Sequence, residues 1–314
     1  MVNRPKAEAL RDELASRIVA FAKIDGDHDT AVPGLILTRR TEPTACYRAT
    51  CQPSLTLFAQ GRKCIQLGGV DYLCDRTSFF LSSIDVPIQS QVVEASRQTP
   101  LLTMKLYLNM DGVRETLNSG DFVKEKTAKR GYGLAVGKTT DGLLSACIRL
   151  LDLLENPQDI PYLQPLIHRE IVYRILRTPQ AESLRAVVTN GDLSNRTARV
   201  MSWLRTNYAK PLHMEELAEI ARMGVSTLHH QFRALTSMSP LQYQKQIRLQ
   251  TARERMLMDG IDAATAGYQV GYESVSQFSR EYSRHFGMPP MRDINAMRER
   301  QKLGTLEGSE NVKA

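Results

Sequence analysis

Between residues 8 and 24 the stretch EALRDELASRIVAFAKI places Leu10, Leu14, Ile18 and Phe21 at i, i+4, i+8 and i+11, one face of an amphipathic helix. The polar DGDHD that follows reads as a breaker. From Leu35 to about Leu108 the pattern changes to short β-branched and apolar runs cut by turn signals: GLILTRR, SLTLFAQGRKCIQLGGVDYLCD, SFFLSS, QVVEAS and LLTMKLYL. This segment is all-β, with QGRK and GGV as turns between strands.

Helical period returns at Thr140. DGLLSACIRLLDLLENP sets Leu143, Cys147, Leu151 and Leu154 on one stripe with Leu144 and Ile148 beside it, and it stops at Asn156-Pro157. A second helix, YLQPLIHREIVYRILRTPQ, is ended by Pro179. Two helices after a β unit either cover one face of a barrel or form a subunit interface, and the stripe alone fits both. Residues 182–195 are polar, and Asn190-Gly191 marks a turn and a domain boundary. From there to about Arg300 the pattern is helical, while the tail QKLGTLEGSENVKA has no period and is expected to be disordered.

A chain of 314 residues suggests two domains of ordinary size. Its 42% hydrophobic and 24% charged residues are ordinary for a globular protein, and the longest apolar run, LLSACIRLLDLL, is too short to span a bilayer. Arg11, Asp12, Glu13 and Arg17 interrupt the opening stretch where a signal peptide would be apolar, so a cytoplasmic location without membrane association is expected. Five Cys, an odd number, favour reduced thiols over a disulfide framework. The formal charge of +7 is uneven: residues 196–300 hold 15 Lys and Arg against 10 Asp and Glu, so the last third carries +5. That favours a polyanionic partner there, with a merely solvated basic surface as the competing explanation.

The last third also contains one pattern twice. VGYESVSQFSREYSRHFGMPP has a counterpart fifty residues upstream in MGVSTLHHQFRALTSMSP; Phe232 then faces Tyr282, Gly287 falls near Ser237, and Pro240 faces Pro290. Each copy has a short helix with small residues, a Gly-containing turn (Gly224; Gly271) and a longer helix from Ser226 or Ser274, which is helix-turn-helix texture. Ala218 and Ala266 are small where two helices cross, Gly271 gives the turn its backbone freedom, and Ser274 with Gln277 makes a capping box. Leu228 and Phe232 face inward in one copy, Phe278 and Tyr282 in the other. Between the copies Ser239 caps a helix of roughly 20 residues that ends at Gly260 and spans about 30 Å. This is close to the roughly 34 Å between successive major grooves on one face of B-DNA. A scaffold repeat is the competing explanation, but two copies are too few for a solenoid.

On these residues, 196–298 resemble the DNA-binding domain of the AraC/XylS family of bacterial transcription regulators; ARVMSWLRTNY matches its leading helix and VGYESVSQFSREYSRHFGMPP its second motif. Upstream, LFAQGRKCIQLGG, SSIDVPIQSQVVEAS and DIPYLQPLIHREIVYRILRTPQ resemble the cupin-like N-terminal domain of one branch of that family. The resemblance implies an α+β multidomain protein: an N-terminal cupin-like β-barrel with flanking helices and a C-terminal all-α domain with two helix-turn-helix motifs. The divisions expected are an N-terminal helix (1–30), a sensing and dimerisation domain with two C-terminal helices (31–182), the DNA-binding domain (183–300) and a tail (301–314). It further implies double-stranded promoter DNA, a small-molecule effector and RNA polymerase as partners, self-association as a homodimer, and no cofactor.

Carried onto this chain, the family's base-reading positions fall on Ser226, Thr227, His229 and His230 in the first recognition helix and on Ser276, Gln277 and Arg280 in the second. Backbone contacts fall to Arg233 and Arg284, with the helix N-termini at Ser226 and Ser274 assisting. His230 stands where many relatives have Arg, a weaker charge near neutral pH.

Other chemistry is sparse. Cupin metals need clustered His, and the β unit has none after His28. Cys46, Cys51, Cys64 and Cys74 could supply four thiolates to zinc, but no CxxC knuckle is present. Cys64 follows Arg62 and Lys63, cations that could activate it as a thiol sensor, although strand alternation turns Lys63 to the opposite face. Small buried hydrophobes are the plainer reading of all five Cys. No nucleophile elbow, P-loop or dinucleotide fingerprint occurs, so catalytic residues are not expected. A thiol- or metal-based sensor regulator, or a cupin-type enzyme with a DNA-binding module, is the alternative.

Overall fold

The computed structural model describes residues 6–120, 122, 133–189 and 193–299. The Asn190-Gly191 turn and the tail after Arg300 lie outside the described residues. The chain divides into two compact units, residues 1–198 with 233–237, and residues 199–232 with those from 238 onward.

The first unit opens with α1 (Lys6–Phe21), in which Leu14 and Ile18 are fully buried. Phe21 ends the helix and is 37% exposed, and Ala22, just beyond it, is buried instead. The DGDHD expected as a breaker forms a short strand, β1 (Gly26–Asp29), because its backbone pairs with β2 (Leu35–Arg40). The remaining strands are β3 (Tyr47–Cys51), β4 (Ser54–Gln60), β5 (Arg62–Leu67), β6 (Val70–Cys74), β7 (Ser78–Ser82), β8 (Val86–Glu94), β9 (Leu101–Tyr107) and β10 (Leu134–Lys138). They make two antiparallel sheets, one of order β1-β2-β9-β4-β7-β10 and one of order β3-β8-β5-β6. This is the cupin-like arrangement, not closed by hydrogen bonds into one cylinder.

QGRK turns between β4 and β5 as its composition suggests. Gly61 has φ +76°, and a Cβ there would lie 2.7 Å from the Leu101 Cα. Leu55 and Leu57 on β4, and Leu102, Met104 and Leu106 on β9, share one core with the helices. The alternate residues of those strands face the other way.

Helix α2 (Met110–Asn118), not foreseen from periodicity, is capped by Asn109, whose side chain accepts from the Asp111 and Gly112 N–H groups. α3 (Asp141–Asp152) starts at a Thr140 cap and buries more than one stripe, since Ala146 and Leu150 are covered along with Leu143, Leu144, Cys147, Ile148 and Leu151. It is a central helix packed between α1 and α4, while α1 lies against β2, β4 and β9. α4 (Ile160–Leu176) contributes Ile171, Val172 and Ile175 to the same core while Tyr162, Leu163, Leu166 and Tyr173 stay exposed. α5 (Glu182–Val188) follows. Among the described residues no helix is long and apolar enough to cross a membrane.

The helical part comprises α6 (Leu193–Thr206), α7 (Met214–Ala221), α8 (Val225–Thr236), α9 (Pro240–Met258), α10 (Ala263–Gln269) and α11 (Val275–Phe286), with residues 290–299 again helical. Ser239 starts α9 with a full capping box: its side chain accepts from the Gln242 N–H while the Gln242 side chain accepts from the Ser239 N–H. Leu249, Ala252, Met256, Ala266, Val270, Phe278, Tyr282 and Ile294 form the core around α9, α10 and α11.

Candidate nucleic-acid interface

Each repeated motif is held by the inward residues its spacing predicts. Leu228, Phe232, Phe278 and Tyr282 are all fully buried. Phe278 stands edge-on to Tyr272 at 5.3 Å and to Tyr282 at 5.5 Å, and Phe232 edge-on to Tyr243 at 5.4 Å. Ala218 and Ala266 are buried at the helix crossings, and at Gly267 a Cβ would meet the Phe278 ring at 3.0 Å.

The interhelical turns differ. In the second motif Gly271 has φ +92°, and a Cβ there would lie 2.2 Å from the Ala209 carbonyl oxygen. In the first the left-handed residue is Arg222, φ 50°, not Gly224, beside which a Cβ would meet nothing within 4 Å. Arg222 closes α7 by donating its N–H to the Ala218 and Glu219 carbonyls. The two recognition helices end alike, with Ser237 (φ 62°) and Gly287 (φ 83°) in the left-handed region at matching positions.

Ser274 caps α11 by accepting from the Gln277 N–H at 3.4 Å. The expected reciprocal bond is replaced: the Gln277 side chain points forward and donates to Glu281 at 3.2 Å. Glu281 also accepts from Lys245 Nζ at 3.0 Å and the Tyr272 hydroxyl at 2.9 Å. Burial opposes its ionisation, but these three donors and the Lys245 charge hold its carboxyl below the ordinary Glu value.

Two further arginines brace the motif, and periodicity did not single them out. Arg248 on α9 donates to the carbonyls of Tyr208 at 2.7 Å and Gly271 at 2.8 Å. Arg253 grips Asp293 with two 2.8 Å bonds, while the Tyr282 hydroxyl donates to the same carboxylate at 2.7 Å. Asp293 is only 3% exposed. Arginines among apolar helix positions were the only sequence signal for these braces.

On the outward faces, Ser226, Thr227, His229, His230 and Arg233 are exposed on α8, and Ser276, Gln277, Arg280 and Arg284 on α11. Arg280 turns back to the Ser276 carbonyl at 3.3 Å, so its guanidinium rests over its own helix.

The thiols divide among surfaces. Cys64 is on the outer face of β5, and burial, Asp71 and then Cys46 push its thiol up, with Lys63 on the opposite face of the strand. Cys74 and Cys147 are pushed up to about 12, chiefly by burial. Among the described residues no three His, Cys, Asp or Glu side chains converge as a metal site.

A two-sheet unit joined to a helical unit with two exposed recognition helices defines a regulator of the helix-turn-helix class. The profile of the AraC-type transcriptional regulator N-terminus matches residues 31–183, and that of a helix-turn-helix domain matches residues 217–295. The chain belongs to the AraC family of transcriptional regulators. It is similar to the HTH-type transcriptional activator RhaS of Salmonella schwarzengrund, 26% identical over 170 residues, 54% of this chain and 60% of that protein. The match therefore spans less than two thirds of that relative.

Two structures of ToxT from Vibrio cholerae share the fold at 11% identity. The apo form of a lysine-to-alanine variant has a TM-score of 0.57 and covers 85% of this chain and 98% of that one. The wild-type form bound to an unsaturated fatty acid has a TM-score of 0.52 and covers 83% and 93%.

Proposed function

We propose that this chain is a sequence-specific regulator that binds double-stranded promoter DNA through α8 and α11 and responds to a small-molecule effector through residues 31–182. The observation that carries the reading is the pair of exposed polar helix faces joined by α9, a capped helix of 19 residues. At 1.5 Å per residue such a helix spans about 28 Å, a length suited to two successive major-groove segments. Ser226, Thr227, His229, His230, Ser276, Gln277 and Arg280 read base edges, and Arg233, Ser274 and Arg284 contact phosphates. Gln277 and Arg280 first exchange their present bonds, to Glu281 and to the Ser276 carbonyl, for DNA.

The effector acts by binding one arrangement of the protein better than another, which shifts how the reader meets DNA or RNA polymerase. The exposed Tyr162, Leu163, Leu166 and Tyr173 on α4 support self-association as a homodimer. The protein works in the cytoplasm and is not an enzyme. Genome-wide footprinting tests the reading: protection of two segments about one helical turn apart at each bound site supports it, and binding without sequence preference sinks it.

A further inference from the structure

Two lysines lie on strand faces turned toward the space between the two sheets. Lys105 alternates on β9 with Met104 and Leu106, which enter the helix-side core, so Lys105 faces the four-stranded sheet. From that sheet Lys63 faces back, alternating with the outward Cys64, and its ammonium lies 5.8 Å from the centre of the Tyr47 ring.

Several groups report both charges. The Asp27 carboxyl feels burial first, then Arg40, the Thr38 hydroxyl, Lys105 and Lys63, and ends below its ordinary value. Burial raises the Cys51 thiol, while the Ser82 hydroxyl, Lys105, the Ser54 hydroxyl and Lys63 pull against it. Arg40 is paired with Asp27 at 3.2 Å, whereas among the described residues neither lysine has a carboxylate within ion-pair distance.

A second observation points to a ligand. Ser90 on β8 is 2% exposed and pairs in register with both Tyr47 and Ile65; its hydroxyl makes no bond of full hydrogen-bond geometry and lies beside the Tyr47 hydroxyl, which Lys63 also approaches. Buried hydroxyls are ordinarily bonded. Near it the wall is aromatic: Tyr72 on β6 and Phe80 on β7 meet edge-on at 6.2 Å. Two cations without a carboxylate at ion-pair distance, a buried hydroxyl with donor capacity to spare beside Tyr47, and an apolar wall are the groups that recognise an acid headgroup on a carbon skeleton.

We propose that this interior takes a small organic anion, its headgroup against Lys63, Lys105 and the Ser90 hydroxyl and its carbon skeleton along Tyr72 and Phe80. The proposal rests on the reading of this unit as the effector-binding one and names the effector's chemical class.

The test uses the full chain and two fluorescent probes of one ring skeleton: anionic 8-anilinonaphthalene-1-sulfonate and neutral N-phenyl-1-naphthylamine. The anion is expected to bind with one-to-one saturation, about tenfold or more tighter than the neutral probe. Decanoate or decyl phosphate displaces it, which tells carboxylate from phosphate preference, and decanol does not. Lys63→Met and Lys105→Met each weaken the anion about tenfold and leave the neutral probe unchanged. Should the Met variants melt without cooperativity, Lys63→Arg, which keeps binding, and Lys63→Gln, which loses it, decide the matter.

Equal affinity for both probes, or anion affinity untouched by both lysine changes, overturns the proposal. Footprinting the same preparation separates the two readings: DNA binding without anion selectivity removes this inference alone. Anion selectivity at Lys63 and Lys105 without DNA binding removes the regulatory reading and leaves the site.

Discussion

Both helix-turn-helix motifs turn through a left-handed residue, but the first uses Arg222 and the second Gly271. The neighbours explain the difference. Gly271 lies against the Ala209 carbonyl and receives an Arg248 hydrogen bond on its own carbonyl, so the turn has no room for a side chain. Arg222 is exposed and bears the modest cost of a left-handed L-residue on a turn with open space. A sequence repeat has thus preserved the helix geometry and the inward aromatic positions without preserving the means of holding the turn. The second copy is tied to α9 through Arg248, Arg253 and Lys245, three residues of one helix.

The strongest way to break this comparison is Asp293→Ala, which strands a largely buried Arg253 and removes the acceptor of the Tyr282 hydroxyl. Loss of one partner of a buried pair costs about 3 to 5 kcal/mol, and urea unfolding of the chain checks it. Gly271→Ala comes next, at about 3 kcal/mol, from the clash with Ala209 and the left-handed strain together. Gly224→Ala in the same assay should stay within about 0.5 kcal/mol, and equal costs at the two glycines would erase the distinction drawn between the turns.

On the DNA side, Arg280→Ala is expected to weaken specific binding by about 1 to 3 kcal/mol and relax one operator position in a competition assay. A uniform loss across sequences would move Arg280 to the phosphate backbone.

The Glu281 network gives a pH signature. Because its folded-state pKa lies below the ordinary value of 4.5, its contribution is complete above that value and is lost as pH falls through the folded pKa. The urea midpoint of the native chain should therefore fall more steeply on acidification than that of Glu281→Gln; parallel curves would remove the network from the account. Arg222→Gly is a small change too, within about 1 kcal/mol in either direction, since relieved strain and a freer unfolded chain oppose each other.

Local rules carried far into this structure. Alternation placed most of the strands of the two-sheet unit, the small-residue and aromatic spacing located both motifs, and Ser239 with Gln242 formed the capping box its spacing suggests. At Ser274 the same spacing produced only half a box, because Glu281 offered the Gln277 amide a competing acceptor four residues on. β1, β3 and β10 escaped notice because each is only four or five residues long; β1 is polar throughout, and β3 and β10 pair with the sequence-distant β8 and β7. Phe21 lost its core place to Ala22 because the helix ends there.

By itself, then, the sequence determined where most helices and strands run and which of their side chains share a face, since those follow from periods of 3.6 and 2 and from capping chemistry. Which face becomes an interior was decided by tertiary pairing. Lys63 and Lys105 stand 42 positions apart on different sheets, and Arg253 and Asp293 stand 40 apart. No local period relates such residues. They meet through strand order and helix packing, where charges become costly unless another group answers them.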